Sequence, residues 1–210
     1  MSVYALKPVF QDLLRPLVRQ LHRAGCTANQ VTSVAALLSI ALGALLWWQG
    51  AGDRRLFLLL PLWMFLRMAL NAIDGMLARE FGQQSRLGAM LNELGDVVSD
   101  AALYAPFALV APFQPALVAL VIVLATISEF AGALGPMIGA ERRYDGPMGK
   151  SDRAAVFGAL GLWVGAGAQL PGFSQWLMPL IAAALALTIV RRVRNAIRSS
   201  PPAANRDSRP

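Results

Sequence analysis

Residues 56–79 read LFLLLPLWMFLRMALNAIDGMLAR, an apolar run that carries one arginine and ends in polar and charged residues. The apolar part, 56–72, has the length and composition of a helix that crosses a lipid bilayer. Further runs of this kind lie at 31–49, 87–110, 116–138, 154–170 and 176–190. The sequence therefore predicts an all-α integral membrane protein with six transmembrane helices.

The composition of the whole chain agrees with a membrane protein. Of its 210 residues, 56% are hydrophobic and 15% are charged, whereas soluble domains have about 45–50% apolar and about 25% charged residues. This balance excludes a soluble globular domain and a disordered chain. It also argues against a nucleic-acid-binding domain, although the net charge is +7, because basic residues collect at membrane ends. We therefore expect a lipid bilayer, and no nucleic acid, among the partners.

The positions of the basic residues predict the orientation of the helices. All lysines and arginines except Arg54, Arg55 and Arg67 lie before the first span, in the connections 79–86 and 141–153, or after residue 190. Cytoplasmic segments of membrane proteins carry an excess of Lys and Arg. Both termini are therefore expected in the cytoplasm.

The two ends of the chain differ from the spans. Residues 9–23 repeat apolar side chains at helical spacing and carry Asp12, Arg15 and Arg19 on the opposite face, which predicts an amphipathic helix in the cytoplasmic interface. Residues 199–210 are polar and rich in Pro and Ser, which is typical of a disordered tail. Residues 1–198 are expected to form a single membrane domain.

Polar residues share one face in each of two predicted helices. Asn71 and Asp74 lie three residues apart in one helix, and Asn92 and Asp96 lie four apart in the next. A carboxylate at the centre of a span costs about 2.5–3.5 kcal/mol, so such residues face protein, water or a ligand. If the helices pack together, the four oxygen-bearing side chains suit Mg²⁺ or Mn²⁺ bound with a substrate phosphate near the cytoplasmic surface. Arg79 could hold a further phosphate oxygen.

These residues belong to a spaced motif. Residues 71–96, NAIDGMLAREFGQQSRLGAMLNELGD, resemble in every spacing the signature of the CDP-alcohol phosphotransferase (phosphatidyltransferase) family, D-x2-D-G-x2-A-R-x8-G-x3-D-x3-D. Asn71 and Asn92 stand where that signature has aspartate, and the chain is similar to a bacterial subgroup whose signature begins with Asn. The length, the six spans and the interfacial helix also fit, so the resemblance covers nearly the whole chain.

The resemblance implies a membrane transferase of phospholipid biosynthesis. Such enzymes move a phosphatidyl or similar group from a CDP-linked lipid, here expected to be CDP-diacylglycerol, to an acceptor hydroxyl and release CMP. The resemblance also implies a bacterial cytoplasmic (inner) membrane protein with its active site on the cytoplasmic side. Pairing of two copies into a homodimer is a further expectation.

The resemblance assigns roles to single residues. Metal ligands would be Asn71, Asp74, Asn92 and Asp96, and Asp96 would also be the general base that acts on the acceptor hydroxyl. The CDP-linked donor would contact residues of the signature and of the first span: Asn29, Thr32, Gly75, Ala78, Arg79, Ser85 and Gly88.

The two asparagines leave alternatives open. Asn supplies a neutral carbonyl oxygen that can bind a hard cation, but it lacks the charge of a carboxylate. The site could hold one metal, or two more weakly, with Glu93 or Asp100 replacing the lost charge. Alternatively, the protein could bind a CDP-lipid as a catalytically impaired or scaffold protein. An enzyme that uses a different CDP-alcohol is a third hypothesis, and a transporter is disfavoured because no repeat is apparent.

The basic connection 141–153 also has two interpretations. Lys150 and Arg153 could bind an anionic acceptor, or the connection could serve only as a cytoplasmic anchor near anionic lipid. Within the helix bundle, Glu129 is expected to pair with Arg67, because charges inside membranes are commonly paired.

Overall fold

The computed structural model describes residues 6–167 and 169–201. Over these residues the chain is helical and has no strand, which confirms the predicted all-α fold. The α-helices are α1 Leu6–Arg23, α2 Ala28–Gln49, α3 Leu59–Glu80, α4 Arg86–Tyr104, α5 Pro115–Ala133, α6 Lys150–Gly165 and α7 Leu177–Ser199. Short 3-10 helices cover Arg54–Leu58, Ala105–Leu109, Gly135–Ile138 and Gly172–Trp176.

Four helical segments are long and apolar enough to cross a membrane: Ala28–Gln49, Arg54–Glu80, Pro115–Ile138 and Gly172–Ser199. The other two predicted spans correspond to α4 and α6. Helix α4 carries Glu93, Asp96 and Asp100, and α6 has 16 residues, about 24 Å at the usual rise per residue. The six-span topology therefore stays a prediction.

Local sequence explains where the helices around the later site begin. Helix α2 starts with a capping box, in which Thr27 and Gln30 exchange side-chain and backbone hydrogen bonds. Helix α4 starts after Ser85, whose hydroxyl accepts a hydrogen bond from the backbone N–H of Gly88 at 2.9 Å. Such caps satisfy N–H groups that have no partner inside the helix.

Packing places α2 at the centre of the site. It contacts both α3 and α4, while α6 packs on α3, and α5 packs on α4 and α7. Aromatic side chains form a core between α4 and α6. Tyr104 is stacked on Phe157 at 3.7 Å between ring centroids, and Phe107 packs edge-on to Phe157. The first turn of α2 and the last turns of α3 share a separate apolar cluster that includes Ala28, Val31, Ile73 and Leu77.

The first helix lies against α3. Val18 is fully buried there, while Leu13 is 75% exposed although it is apolar. The structure extends the predicted helix 9–23 to Leu6–Arg23, and its interfacial position stays a prediction.

The last helix is longer than the predicted span 176–190, because Arg192 and Ala196 continue its buried face. The helix thereby includes Ser199, the first residue of the predicted disordered tail. Residues 202–210 of that tail lie outside the described residues.

Candidate functional site

A polar cavity of about 900 Å³ lies where the first turns of α2 and α4 meet the last turns of α3. Tyr144 and Lys150 add to its lining from the connection before α6 and from the first residue of α6. All residues predicted to contact the donor line this cavity: Asn29, Thr32, Gly75, Ala78, Arg79, Ser85 and Gly88.

The predicted metal ligands lie in or beside the same cavity. Asn71 and Asp74 of α3 and Asn92 of α4 are on its lining. Asp96 lies one helical turn beyond Asn92, and its carboxylate is bonded to the ammonium of Lys150, which does line the cavity. Three of the four oxygen-bearing side chains thus line the cavity, and the fourth, that of Asp96, is bonded to a residue that does.

Asp74 is oriented by a neighbouring helix. Its carboxylate is buried, and the Thr32 hydroxyl of α2 donates a hydrogen bond of 2.7 Å to Asp74 Oδ2. The sequence predicted that Thr32 contacts the CDP-linked donor, and the structure adds its hydrogen bond to Asp74. A buried carboxylate oxygen needs such a partner, so Thr32 fixes the direction of Asp74 at the cavity wall.

Asp96 is held by two cations from different helices. Arg67 of α3 donates from Nη2 to Asp96 Oδ1 and to the Asp96 backbone oxygen, both at 3.1 Å. Lys150 of α6 bonds to the other carboxylate oxygen. The carboxylate is therefore fixed relative to α3 and α6 as well as to its own helix.

The predicted pair of Arg67 with Glu129 is wrong. Arg67 instead donates from Nη1 to Asp100 Oδ1 at 2.5 Å, as well as binding Asp96. Glu129 of α5 is bonded to arginines that come from outside α3: Arg142, Arg153 and Arg192. The sequence period gives the face on which a charge lies, but the neighbour that faces it depends on the helix packing.

Gly88 permits a close approach between α2 and α4. A Cβ atom built at Gly88 would lie 2.5 Å from Asn29 Oδ1 and 3.0 Å from Ser85 Oγ. Asn29 Nδ2 itself donates to Ser85 Oγ at 3.4 Å. At Gly75, a Cβ would lie 2.9 Å from Arg79 Nη2, so the Arg79 side chain folds back over that glycine.

The two residues predicted to bind the acceptor have different surroundings. The Lys150 side chain is 34% exposed and faces the cavity. Arg153 is 1% exposed, and it donates to Asp100 Oδ2 from Nε at 3.1 Å and from Nη2 at 2.9 Å. Acceptor binding by either residue stays a prediction, and in this structure the Arg153 guanidinium is engaged with protein groups.

Sequence reasoning missed several contributors to the site. Arg67 stood out as a charge in an apolar run, but nothing in the sequence named Asp96 as its partner. Gln83 lines the cavity and accepts a hydrogen bond of 2.7 Å from the Ala28 backbone at the start of α2. Tyr144 is an exposed aromatic residue whose ring lies 5.1 Å from the Arg142 guanidinium. Neither Gln83 nor Tyr144 lies in a periodic stretch that would indicate its position.

The two carboxylates suggested as replacements for the lost charge are already paired. Glu93 bonds to Arg142, and Asp100 bonds to Arg67 and Arg153. Among the described residues, no group of three or more His, Cys, Asp or Glu side chains is arranged to hold a metal ion. The signature positions themselves offer two amide oxygens and two carboxylates, of which Asp96 is also paired with Arg67 and Lys150. Oxygen donors of this kind fit a hard divalent cation.

Known proteins resemble the chain over nearly its whole length. The sequence model of the CDP-alcohol phosphatidyltransferase family matches residues 26–190. The inner membrane protein YnbA of Escherichia coli is 48% identical over 200 residues, which cover 94% of this chain and 97% of that protein. A phosphatidylinositol phosphate synthase of Mycolicibacterium smegmatis is 29% identical over 219 residues, which cover 95% of this chain and 90% of that protein.

Two crystal structures of the phosphatidylinositol phosphate synthase of Mycobacterium tuberculosis share the fold, each with a TM-score of 0.73. The structure with CDP-DAG bound is 23% identical and covers 91% of this chain and 96% of that chain. The complex with manganese and citrate is 24% identical, and the match covers 91% of both chains. Because the family model spans most of the sequence and agrees with the spaced motif, the chain belongs to the CDP-alcohol phosphatidyltransferase family.

Proposed function

We propose that the protein transfers a phosphatidyl group from CDP-diacylglycerol to an acceptor hydroxyl and releases CMP, as a step in phospholipid biosynthesis. The observation that carries this proposal is the single cavity shared by the signature residues of α3 and α4 and by the first turn of α2. Family membership supports the transferase class. The relative that was solved with CDP-DAG bound supports the donor.

The cavity has properties that suit the CDP part of such a donor. Its volume of about 900 Å³ lies within the usual range of about 300–1,000 Å³ for small-ligand sites. Arg79 offers a guanidinium fork, which matches the geometry of phosphate oxygens. Gly75, Ala78 and Gly88 leave room for a pyrophosphate to approach the helix backbones, and Asn29 and Ser85 offer polar groups beside them.

We infer that Asn71, Asp74, Asn92 and Asp96 hold Mg²⁺ or Mn²⁺. Their oxygen donors fit a hard cation, and the relative solved in complex with manganese supports this assignment. A bound divalent cation would supply Lewis-acid stabilisation of the pyrophosphate and of the departing CMP. Thr32 contributes by holding Asp74 in one orientation.

Asp96 is the proposed general base. The acceptor oxygen attacks the phosphorus that carries the diacylglycerol, and a new P–O bond forms there. The P–O bond to CMP breaks, CMP leaves with the bonding electrons, and the hydroxyl proton passes to Asp96. Arg67 positions this base because it binds both the carboxylate and the backbone oxygen of Asp96.

The acceptor is proposed to bind next to Asp96. Lys150 bonds to that carboxylate and lines the cavity, so it can contact an acceptor at this position. Arg153 lies one helical turn further along α6, and it reaches the site through its bonds to Asp100.

We infer that residues 1–198 form one domain that crosses the membrane six times, with both termini and the cavity on the cytoplasmic side. The four long apolar helices supply four crossings, and α4 and α6 pack against them. Exposed Leu13 and Leu17 support an interfacial position of α1. The relative named as an inner membrane protein supports a bacterial inner membrane, and the homodimer stays a proposal from the family resemblance.

Asn71 and Asn92 favour one alternative function. A site with less negative charge holds a cation more weakly, so the same cavity could bind a CDP-lipid without turnover. A transferase that uses another CDP-alcohol would differ in the lipid part of the donor, and it would still release CMP.

Release of CMP by the purified chain in lipid nanodiscs tests these proposals. The assay contains CDP-diacylglycerol, Mg²⁺ or Mn²⁺ and a panel of acceptor alcohols. We expect release that requires both metal and acceptor and that falls by at least about 100-fold in Asp96→Asn, since general-base catalysis contributes about 10²–10⁴-fold. Asp12→Asn, an exposed change on α1, is the matched control and should retain the full rate.

Three results would contradict the scheme in different ways. Equal rates for Asp96→Asn and the control would remove Asp96 as the base. Release without any acceptor would indicate hydrolysis. Tight binding of CDP-diacylglycerol without release of CMP would instead favour the lipid-binding alternative.

A further inference from the structure

Beyond Asp96, three arginines from three parts of the chain converge on one carboxylate. Arg153 Nη2 donates to Glu129 Oε1 at 2.9 Å, and Arg192 Nη1 lies 3.4 Å from the same oxygen. Arg142 Nη2 donates to Glu129 Oε2 at 3.3 Å. Glu129, Arg153 and Arg192 are buried. We call these four residues the Glu129 cluster.

The Glu129 cluster has the form of an anion site that the chain fills itself. Guanidinium groups that approach from several directions are the usual means of binding a phosphate or a carboxylate. Arg192 has further partners, because it donates to the Ser128 backbone oxygen at 2.5 Å and to the Asp145 backbone oxygen at 3.2 Å. A phosphate could enter only by displacing the Glu129 carboxylate.

The surrounding charged groups are paired with one another. The ion pairs of this region join five cations to four carboxylates, namely Arg67, Arg142, Lys150, Arg153 and Arg192 with Glu93, Asp96, Asp100 and Glu129. In the neighbouring connection, Arg143 binds both oxygens of Asp145 and so holds the pKa of that carboxyl below its usual value. A second buried anion would therefore meet guanidinium groups that already have carboxylate partners.

The cluster lies next to the reacting position. Asp100 accepts hydrogen bonds from Arg153 and follows Asp96 by one turn of α4. Lys150, one turn before Arg153 on α6, bonds to Asp96. An acceptor whose hydroxyl reaches Asp96 would thus lie beside Lys150, and Asp100 connects this position to Arg153 of the Glu129 cluster.

We propose that the acceptor is an alcohol without a phosphate group and that Glu129 determines this selectivity. The inference rests on the proposed transferase function. Glu129 occupies the guanidinium groups that would otherwise bind a phosphate, and its charge repels a second anion. Lys150 remains as the cation that faces the cavity beside Asp96.

Paired acceptors test the selectivity on the unmodified protein. CMP release from CDP-diacylglycerol in nanodiscs is measured with glycerol against glycerol 3-phosphate, and with inositol against inositol 1-phosphate. We expect the unphosphorylated member of at least one pair to be used at least about tenfold faster, because displacing a buried ion pair opposes binding of the phosphorylated one. A faster rate with the phosphorylated member of either pair would overturn the inference and leave the transferase function intact.

Binding of inorganic phosphate gives an answer that does not depend on turnover. Calorimetric titration without divalent metal should detect a phosphate site in Glu129→Ala that the unmodified protein lacks. Glu129→Gln keeps the shape and removes the charge, so it should bind phosphate more weakly than the alanine variant. Glu141→Gln, an exposed change in the connection 141–153, is the control and should bind phosphate like the unmodified protein.

The two measurements separate the inference from the function on which it rests. Saturable phosphate binding by the unmodified protein, equal to that of Glu129→Ala, would show that Glu129 does not fill the site. Loss of CDP-diacylglycerol binding together with absent CMP release would refute the transferase instead. If the alanine variant does not fold, the paired acceptors and the titration of the unmodified protein still decide the question.

Discussion

Replacing Asp100 by Asn should destabilise the protein strongly. Asp100 is 4% exposed and receives Arg67 on Oδ1 at 2.5 Å and Arg153 on Oδ2 at 2.9 and 3.1 Å. Asparagine has nearly the same shape, but it lacks the charge and turns one acceptor oxygen into an NH₂ donor. That donor would face a guanidinium, and two buried arginines would lose their shared counter-ion. Removing one partner of a buried ion pair costs about 3–5 kcal/mol, and we expect a loss of unfolding free energy in this range.

Reversible unfolding in mixed lipid–detergent micelles measures this loss. The matched control is Glu80→Gln, which breaks the ion pair between Arg15 and Glu80 at 3.2 Å, where the side chains are 37% and 36% exposed. Exposed ion pairs contribute about 0–1 kcal/mol, so the control should lose at most about 1 kcal/mol. Equal losses in Asp100→Asn and Glu80→Gln would refute the argument that burial makes the Asp100 pairs essential.

Three further predictions concern the cavity. Thr32→Val removes the hydrogen bond to Asp74 and should weaken Mn²⁺ binding about 10–100-fold, as losses of outer-shell partners do. Thr32→Ser keeps the hydroxyl and should bind Mn²⁺ like the unmodified protein. Unchanged binding by the valine variant in a Mn²⁺ titration would contradict the proposal that Thr32 orients Asp74. Gly88→Ala puts a Cβ 2.5 Å from the nearest side-chain oxygen, whereas the Cβ in Gly95→Ala lies 3.5 Å from its nearest atom. Gly88→Ala should therefore lose about 1–3 kcal/mol of stability and bind CDP-diacylglycerol more weakly than Gly95→Ala. Equal stability and equal binding in the two variants would be evidence against close helix contact at Gly88. Asp74→Asn should reduce Mn²⁺ affinity more than Asp96→Asn does. Asp96→Asn should lose more of its turnover than of its binding to CDP-diacylglycerol. A larger loss of Mn²⁺ affinity in Asp96→Asn than in Asp74→Asn would refute the proposal that the two aspartates have separate roles.

The convergence of α3 and α4 on one cavity could be predicted because it depends on a fixed helical period. Asn71 and Asp74 lie on one face of any α-helix, as do Asn92 and Asp96. Both segments are helical in the structure, and the spaced motif indicated the family that the comparison confirms. Local spacing therefore carried most of the information about which residues come together.

The ends of the helices were less predictable because they depend on local backbone chemistry. The predicted span 87–110 is divided in the structure, where α4 ends at Tyr104 and a 3-10 helix covers Ala105–Leu109. Pro106 has no N–H and disfavours continuation of an α-helix. An apolar run by itself does not show where such a change in backbone hydrogen bonding occurs.

Partners of the buried charges could not be predicted, because they depend on packing between helices that are distant in sequence. Asp74 accepts its hydrogen bond from the neutral hydroxyl of Thr32, whereas Asp96 is bonded to Arg67 and Lys150. Both are aspartates at signature positions, and the resemblance distinguishes them only by giving Asp96 the additional role of general base. Their surroundings do, since cations are bonded to both carboxylate oxygens of Asp96, while the side chain that hydrogen-bonds to Asp74 is a neutral hydroxyl. Asp74 therefore has a carboxylate to which no cation is bonded, which suits its proposed role as a metal ligand, and Asp96 is held at a fixed position by α3 and α6.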